Sequence, residues 1–335
     1  MKTKQITNRE ASPIEEDFSL LKMLYSIHSK SHQEKPMIDF LLGWITKNVP
    51  ETEVTIDTYG NMYITKGLAE IYPCLVAHLD QVQTYHPEDF AVIETDEYFF
   101  GISPADHRQA GLGADDKNGI WIALKCLSEF DQLKVAFFVG EETGCYGSSF
   151  CDMKFFDNCR FVIEPDRRGN KDLIKEIGWS PMCSKKFLKA IKPGRFGYNP
   201  KSGLMTDIEE LKSRGLGVSC VNLSCGYYNP HTDQEYTVKH DLIRCLDYIR
   251  WIIKNCKKTY KHKTEEDSDF LPGLGTYDWW EDNNAYDEVF SLLDSDPTMT
   301  VSDLYTAIHK DFPKVTKDEI AFWVDDYELF KGGNY

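Results

Sequence analysis

The apolar positions of this chain change period along its length. In "DFSLLKMLYSIHS", Leu20, Leu24 and Ile27 recur at i, i+4 and i+7, with Leu21 beside them. Met37, Phe40, Leu41 and Trp44 repeat the pattern in "PMIDFLLGWITKNV", so residues 14–47 read as two helices. "EVTIDTYGNMYITKG" reads as a hairpin, two β-branched and aromatic runs joined at Gly60 and Asn61. "YPCLVAHLD", "LKVAFFVGEE" and "CRFVIEPD" are short apolar runs with polar ends, as buried strands would be. "FAVIETDEYFFGI" predicts a further strand pair, and "VSCVNLSCG" a strand. Ile120, Ala123, Leu124 and Leu127 place one apolar face on a helix after "LGADDKNG". "TDIEELKSRG" predicts a helix closed by Gly215, and "VKHDLIRCLDYIRWIIKNC" a long amphipathic one. Strands and helices alternate. The expected fold is α/β: three layers, α/β/α, around a central mixed, mostly parallel sheet.

The alternation stops at "KHKTEEDSDFLPGLGT", where charge, Pro and Gly replace it. The reading is a main α/β domain over 1–262, a linker over 263–276 and an acidic helical segment over 277–335. In that last segment Thr300 precedes "VSDLYTAIHKDF", and "TKDE" at 316–319 reads as a capping box before another helix.

Composition narrows the function classes. The chain has 335 residues, 41% hydrophobic and 27% charged, as in a soluble globular protein. No run of eighteen apolar residues predicts a membrane span. The first residues lack the apolar core of a secretory leader, and the ten cysteines follow no zinc-finger or redox spacing. A cytoplasmic protein with reduced thiols is expected. The net charge is −16, and residues 264–335, with 18 acidic and 4 basic side chains, hold most of it. A near-neutral body and an acidic tail argue against nucleic acid as a partner, because phosphate contacts need clustered Lys and Arg.

Five motifs occur in order: "HLD" at 78–80, "GADDKNG" at 113–119, "GEETGCYGS" at 140–148, "EPDRRG" at 164–169 and "NPHTDQEY" at 229–236. Singly each has an ordinary explanation: a packed histidine, a solvated acidic turn, a helix-start charge. Together, mostly at the C-terminal ends of strands, they converge where open α/β sheets bind ligands. Such a set suits two-metal hydrolysis. Zinc accepts imidazole nitrogen and carboxylate oxygen at about 2.0–2.2 Å. Two metals roughly 3.5–4 Å apart need a ligand between them, and a carboxylate has two oxygens to offer. Two histidines, one bridging carboxylate and two terminal ones give each metal three protein ligands.

The order of these motifs resembles the co-catalytic di-zinc exopeptidases, over roughly residues 14–258. That clan includes peptidase T, the glutamate carboxypeptidases, the bacterial leucyl aminopeptidases and the tetrahedral aminopeptidases. The resemblance implies that His78 binds one metal and that Asp80 holds its imidazole. It implies Asp115 as the bridge, Glu142 and His231 on the second metal, and Glu141 as general base. Asp116 is read as a helix-start charge and not a ligand. Glu164 and Asp166 both face the strand end; Asp166 is favoured as the remaining ligand because it lies last before the loop. Asp207 resembles an aspartate found near substrate in the clan, or else caps the helix it starts. Arg167, Arg168, Tyr227 and Tyr228 flank the set, with packing or surface roles preferred. Only 64 residues separate Asp166 from His231, so no inserted lid domain is expected.

The implied function is a metal-dependent exopeptidase, foremost an aminopeptidase on short peptides. A carboxypeptidase, dipeptidase or N-acyl-amino-acid deacylase with the same metals is the close alternative, and a non-catalytic binding protein the distant one. Two zinc ions are the expected cofactors, with cobalt or manganese also suited to His/carboxylate donors. No nucleic-acid or membrane partner is expected, and the acidic segment leaves room for an oligomer contact.

Overall fold

The computed structural model describes residues 16–178, 180–263, 285, 289, 292–293, 296–310, 312–313, 315–317, 320–321 and 323–324. The chain divides into two units, Met1–Glu265 and Glu266–Tyr335. The linker read at 263–276 lies, apart from Lys263, outside the described residues, as do Asp318 and Glu319 of the capping box read at 316–319.

The first unit opens with helices α1 (Ser19–Tyr25) and α2 (Lys35–Asn48). Strands β1 (Thr52–Ile56) and β2 (Met62–Lys66) form the expected hairpin. Asp57 turns it, its Oδ1 accepting from the N–H groups of Tyr59, Gly60 and Asn61 at 2.9, 3.0 and 2.9 Å. Next come β3 (Tyr72–His78), β4 (Ala91–Glu94), β5 (Tyr98–Ser103), β6 (Arg108–Ala110), α3 (Ala114–Glu129) and β7 (Leu133–Phe138). They are followed by α4 (Tyr146–Ser149), β8 (Cys159–Arg167), β9 (Asp172–Ile177), β10 (Ser180–Pro181), α5 (Lys185–Ile191) and β11 (Asn199–Gly203). The unit ends with α6 (Asp207–Ser213), β12 (Cys220–Ser224), β13 (Tyr227–Tyr228), β14 (Tyr236–Val238) and α7 (Lys239–Asn255).

Nine strands form one mixed sheet in the order β1-β2-β7-β3-β8-β12-β9-β10, with β11 on β9. Its centre, β7-β3-β8-β12, is parallel, and antiparallel pairs flank it. Every residue of β3 is buried, because both sheet faces are covered and side chains alternate between them. Leu75 and Ala77 pack with residues of α1, α2, α3 and α7. Cys74 and Val76 pack on the opposite face with Ile208 and Leu211 of α6. That is the three-layer α/β architecture.

A second, five-stranded sheet, β13-β14-β5-β4 with β6 on β5, stands apart from the first. All ten cysteines are buried and unpaired. Among the described residues no helix is long and apolar enough to cross a membrane.

In the second unit, Thr300 caps α8 (Val301–Ile308): its hydroxyl accepts from Asp303 N–H, and the Asp303 carboxylate accepts from Thr300 N–H. Such a cap contributes about 0.5–2 kcal/mol. Ala285, Val289, Leu293, Leu304, Ile308, Val315, Ile320 and Trp323 form this unit's own apolar core.

Gly119 at the start of α3 has a steric reason. A Cβ at Gly119 would lie 2.4 Å from both carboxylate oxygens of Asp116. Gly119→Ala should therefore lower unfolding stability in urea by about 1–3 kcal/mol, although alanine favours helix by about 1 kcal/mol. Unchanged or raised stability would contradict this packing.

Candidate metal centre

The parallel strands deliver polar residues to one edge of the sheet. His78 is the last residue of β3, and Asp80 follows two later. Beyond β7 the chain enters a 3-10 turn, Glu141–Thr143, that carries Glu141 and Glu142. β8 brings Glu164 and Asp166, the loop between β13 and β14 brings His231, and Asp115 stands at the entry to α3. There Asp115 and Asp116 have non-helical φ/ψ, so the regular helix starts after them.

The geometry centres on Asp115. Its Oδ1 lies 3.0 Å from His78 Nε2, and its Oδ2 lies 3.4 Å from His231 Nε2. His78 Nε2 is also 3.5 Å from Asp166 Oδ1, and His231 Nε2 is 3.1 Å from Glu142 Oε2. Donors bound tetrahedrally at about 2.0–2.1 Å stand roughly 3.3 Å from one another. The spacings thus match two three-donor groups that share one carboxylate. Asp115, Glu142 and His231 have donor atoms within 4.8 Å of one another, as do His78, Glu141 and Glu142. Glu142 Oε1 is buried and has no hydrogen-bond partner in the protein, an oxygen that a cation would satisfy.

The supporting contacts add to two readings. Asp80 was expected to hold His78 through its carboxylate. Its Oδ1 lies 3.4 Å from His78 Nδ1, and its backbone carbonyl lies closer, at 3.0 Å. A carbonyl only accepts, so Nδ1 donates to it, which leaves Nε2 as the nitrogen that would offer a lone pair to a metal. The Asp80 carboxylate, with His78 as one partner, has three more. It accepts from Glu141 N–H at 2.9 Å, Glu142 N–H at 3.3 Å and the Ser31 hydroxyl at 2.7 Å. Asp80 therefore fixes the backbone of the double-glutamate turn.

Asp116 is no solvated charge: it is 1% exposed. Its Oδ1 accepts from Gly119 N–H at 3.0 Å, which caps α3, and its Oδ2 accepts from His78 N–H at 3.3 Å. Its donor atoms also lie within 4.8 Å of those of His78 and Asp166, but both oxygens are already used in joining α3 to β3.

Glu235 was missed. It is fully buried, and its oxygens accept from Ala114 N–H at 2.9 Å and Asp115 N–H at 3.1 Å. It thereby anchors the backbone of the residue that faces both histidines. Glu235 lay within a quoted motif, but nothing local marked it, since its partners are 120 residues away. Gln83 donates to it at 3.3 Å.

Charge is crowded here. Burial works against ionising Asp115, yet bonds from His231 and His78 hold it well below the usual carboxylate range. Burial likewise opposes protonation of His78, and Asp166 and Asp115 overcome it. Burial first, then neighbouring carboxylates, push Glu142 and Asp166 up. The carboxylates thus draw positive charge onto the same nitrogen atoms that would face a metal. A dicationic pair fits this donor set.

The remaining acids divide. Asp166 faces His78, whereas Glu164 accepts from the Thr206 hydroxyl and has its Oε1 buried without a partner. Asp207 is fully buried at the first position of α6. Its Oδ1 accepts from Ser148 Oγ at 2.5 Å, and its Oδ2 has no partner. Thr206, not Asp207, occupies the N-cap, and its side chain makes no capping bond. Tyr228 donates to Asp241 and stacks on Tyr236, a packing role.

No protein-family model matches the chain, and no curated protein sequence matches it. Solved structures do. Aminopeptidase PepT from Bacillus cereus superposes with a TM-score of 0.58 at 15% identity, over 72% of this chain and 98% of that one. A tripeptidase from Staphylococcus aureus gives 0.57 at 15%, over 70% and 96%. An aminopeptidase from the archaeon Desulfurococcus kamchatkensis gives 0.53 at 17%, over 70% and 94%. The clan resemblance carried by the five motifs is thus matched in three dimensions: this chain has the fold of peptide-cleaving enzymes of the peptidase T and aminopeptidase kind.

Proposed function

We propose that the protein is a metal-dependent exopeptidase, an aminopeptidase acting on short peptides through a carboxylate-bridged two-zinc site. The observation that carries this reading is the placement of the two Asp115 oxygens, one beside His78 and one beside His231. His78, Asp115 and Asp166 would hold one ion; Asp115, Glu142 and His231 would hold the other. Bound there, zinc supplies Lewis acidity to the scissile carbonyl and lowers the pKa of water toward neutrality.

The chain's own residues do the proton work. Glu141 is 8% exposed, and burial pushes its carboxyl well above the usual range. Burial of this kind strengthens a carboxylate as a base. Asp80 fixes it through the Glu141 N–H. Glu141 takes a proton from the attacking water as the new C–O bond forms. It returns that proton to the leaving amine as the C–N bond breaks. Lys117, whose pKa burial brings down to about 7, is spent on Gln81 and the Leu112 carbonyl and takes no part.

The aminopeptidase reading is supported by the fold shared with the aminopeptidases from Bacillus cereus and Desulfurococcus kamchatkensis.

Two outcomes test this reading. With zinc restored, Glu141→Gln should lower kcat by roughly 10²–10⁴-fold while metal content by mass spectrometry is unchanged; near-normal turnover would remove Glu141 as the base. Short peptides with a free amine should be cleaved and their N-acetylated counterparts should not. Cleavage of the acetylated peptides, with loss of activity on C-terminal amides, would assign a carboxypeptidase instead.

A further inference from the structure

Three large aromatic side chains gather in the open beside the double-glutamate turn. Tyr59 is 42% exposed, Tyr146 41% and Phe150 48%. Tyr59 stacks on Phe150 with centroids 4.9 Å apart, and Tyr146 lies 5.2 Å from Phe150 and 6.0 Å from Tyr59. The exposed His32 ring adds an edge 6.2 Å from Tyr146. Scattered exposed aromatics need no explanation, but a contiguous group marks an interaction site.

The platform is rigidly continuous with Glu141. Cys145, the residue before Tyr146, directs its thiol at Glu141 Oε1 from 3.8 Å. Tyr146 N–H donates to the Gly140 carbonyl at 2.9 Å, and Gly147 N–H donates to the Val139 carbonyl at 2.8 Å. Asn61 clamps the hairpin carrying Tyr59 to this turn. Its Nδ2 donates to the Gly147 carbonyl at 2.9 Å, and its Oδ1 accepts from Val139 N–H at 3.3 Å. On the other side, Glu34 accepts from His32 N–H at 2.9 Å and Gly140 N–H at 3.1 Å. The rings are therefore preformed and pay little ordering entropy when a ligand arrives.

We infer that Tyr59, Tyr146 and Phe150 form the subsite for the substrate side chain next to the scissile bond, and that this side chain is aromatic or large and aliphatic. The inference rests on the exopeptidase reading above and names its substrate class. The substrate is the occupant because the platform starts one residue from a contact of the proposed general base. On the other side, His32 at the edge of Tyr146 follows Ser31, whose hydroxyl donates to Asp80 at 2.7 Å.

The test is a panel of dipeptides that begin with Phe, Leu, Gly or Asp, with the zinc-loaded full chain as wild type, Tyr146→Ala, Phe150→Ala and Phe150→Leu. The wild type should favour Phe and Leu over Gly and Asp by about tenfold or more in kcat/KM. Each alanine variant should lose most of that preference through KM while Gly peptides are cleaved as before, and Phe150→Leu should retain it. Unchanged Gly cleavage also shows that the variants fold. Active variants with wild-type selectivity would overturn the subsite alone. The same result together with a changed sedimentation coefficient would assign the rings to contact between copies, and would overturn it equally. A wild type that cleaves no peptide would overturn the exopeptidase reading and the subsite with it.

Discussion

One buried carboxylate organises this site. Asp115 directs one oxygen to His78 and the other to His231, and those histidines come from positions 153 residues apart in sequence. Each histidine has a further carboxylate at its nitrogen, Asp166 for one and Glu142 for the other. Five acidic and basic groups packed this closely repel or neutralise one another unless something of opposite charge joins them. The fold therefore has to hold Asp115 still, and it does so by its backbone. Glu235 takes the Asp115 N–H, and the adjacent Asp116 ties the entry of α3 to the end of β3.

The same economy runs through the double-glutamate turn. Asp80, two residues beyond His78, accepts from the N–H groups of both Glu141 and Glu142. A single strand end thus positions an imidazole with its carbonyl and a turn with its carboxylate. Neighbouring parallel strands β3 and β7 put these groups side by side, which is why sites of this kind form at the C-terminal edge of such sheets. Substituting Asp80 would disturb His78 and Glu141 together, so its effect cannot be divided between them by single variants.

Much of this was legible in the sequence because the informative residues are local signals at strand ends. "HLD", "GEE" and "EPD" each close a buried apolar run, and those runs became β3, the turn after β7, and β8. The hairpin at Asp57–Asn61 and the Thr300 helix start were equally local. What escaped the reading depends on distant partners. Asp116 looks like any helix-start acid until β3 covers it. Glu235 has no role until it meets residues of the α3 entry. The two- and three-residue strands β13 and β14 are too short to show a period, so the second sheet was invisible apart from the β4–β5 pair. Glu164 and Asp166, two residues apart on one strand, share a face in sequence; only Thr206 and His78 distinguish them in space.

The account stands on Asp115 serving both halves of the site at once. The direct measurement is zinc bound per chain after dialysis, by mass spectrometry, for the wild type and Asp115→Asn, with circular dichroism confirming the fold of each. The account predicts two zinc ions per wild-type chain and loss of both from the variant. A folded Asp115→Asn chain that still holds two ions would contradict it.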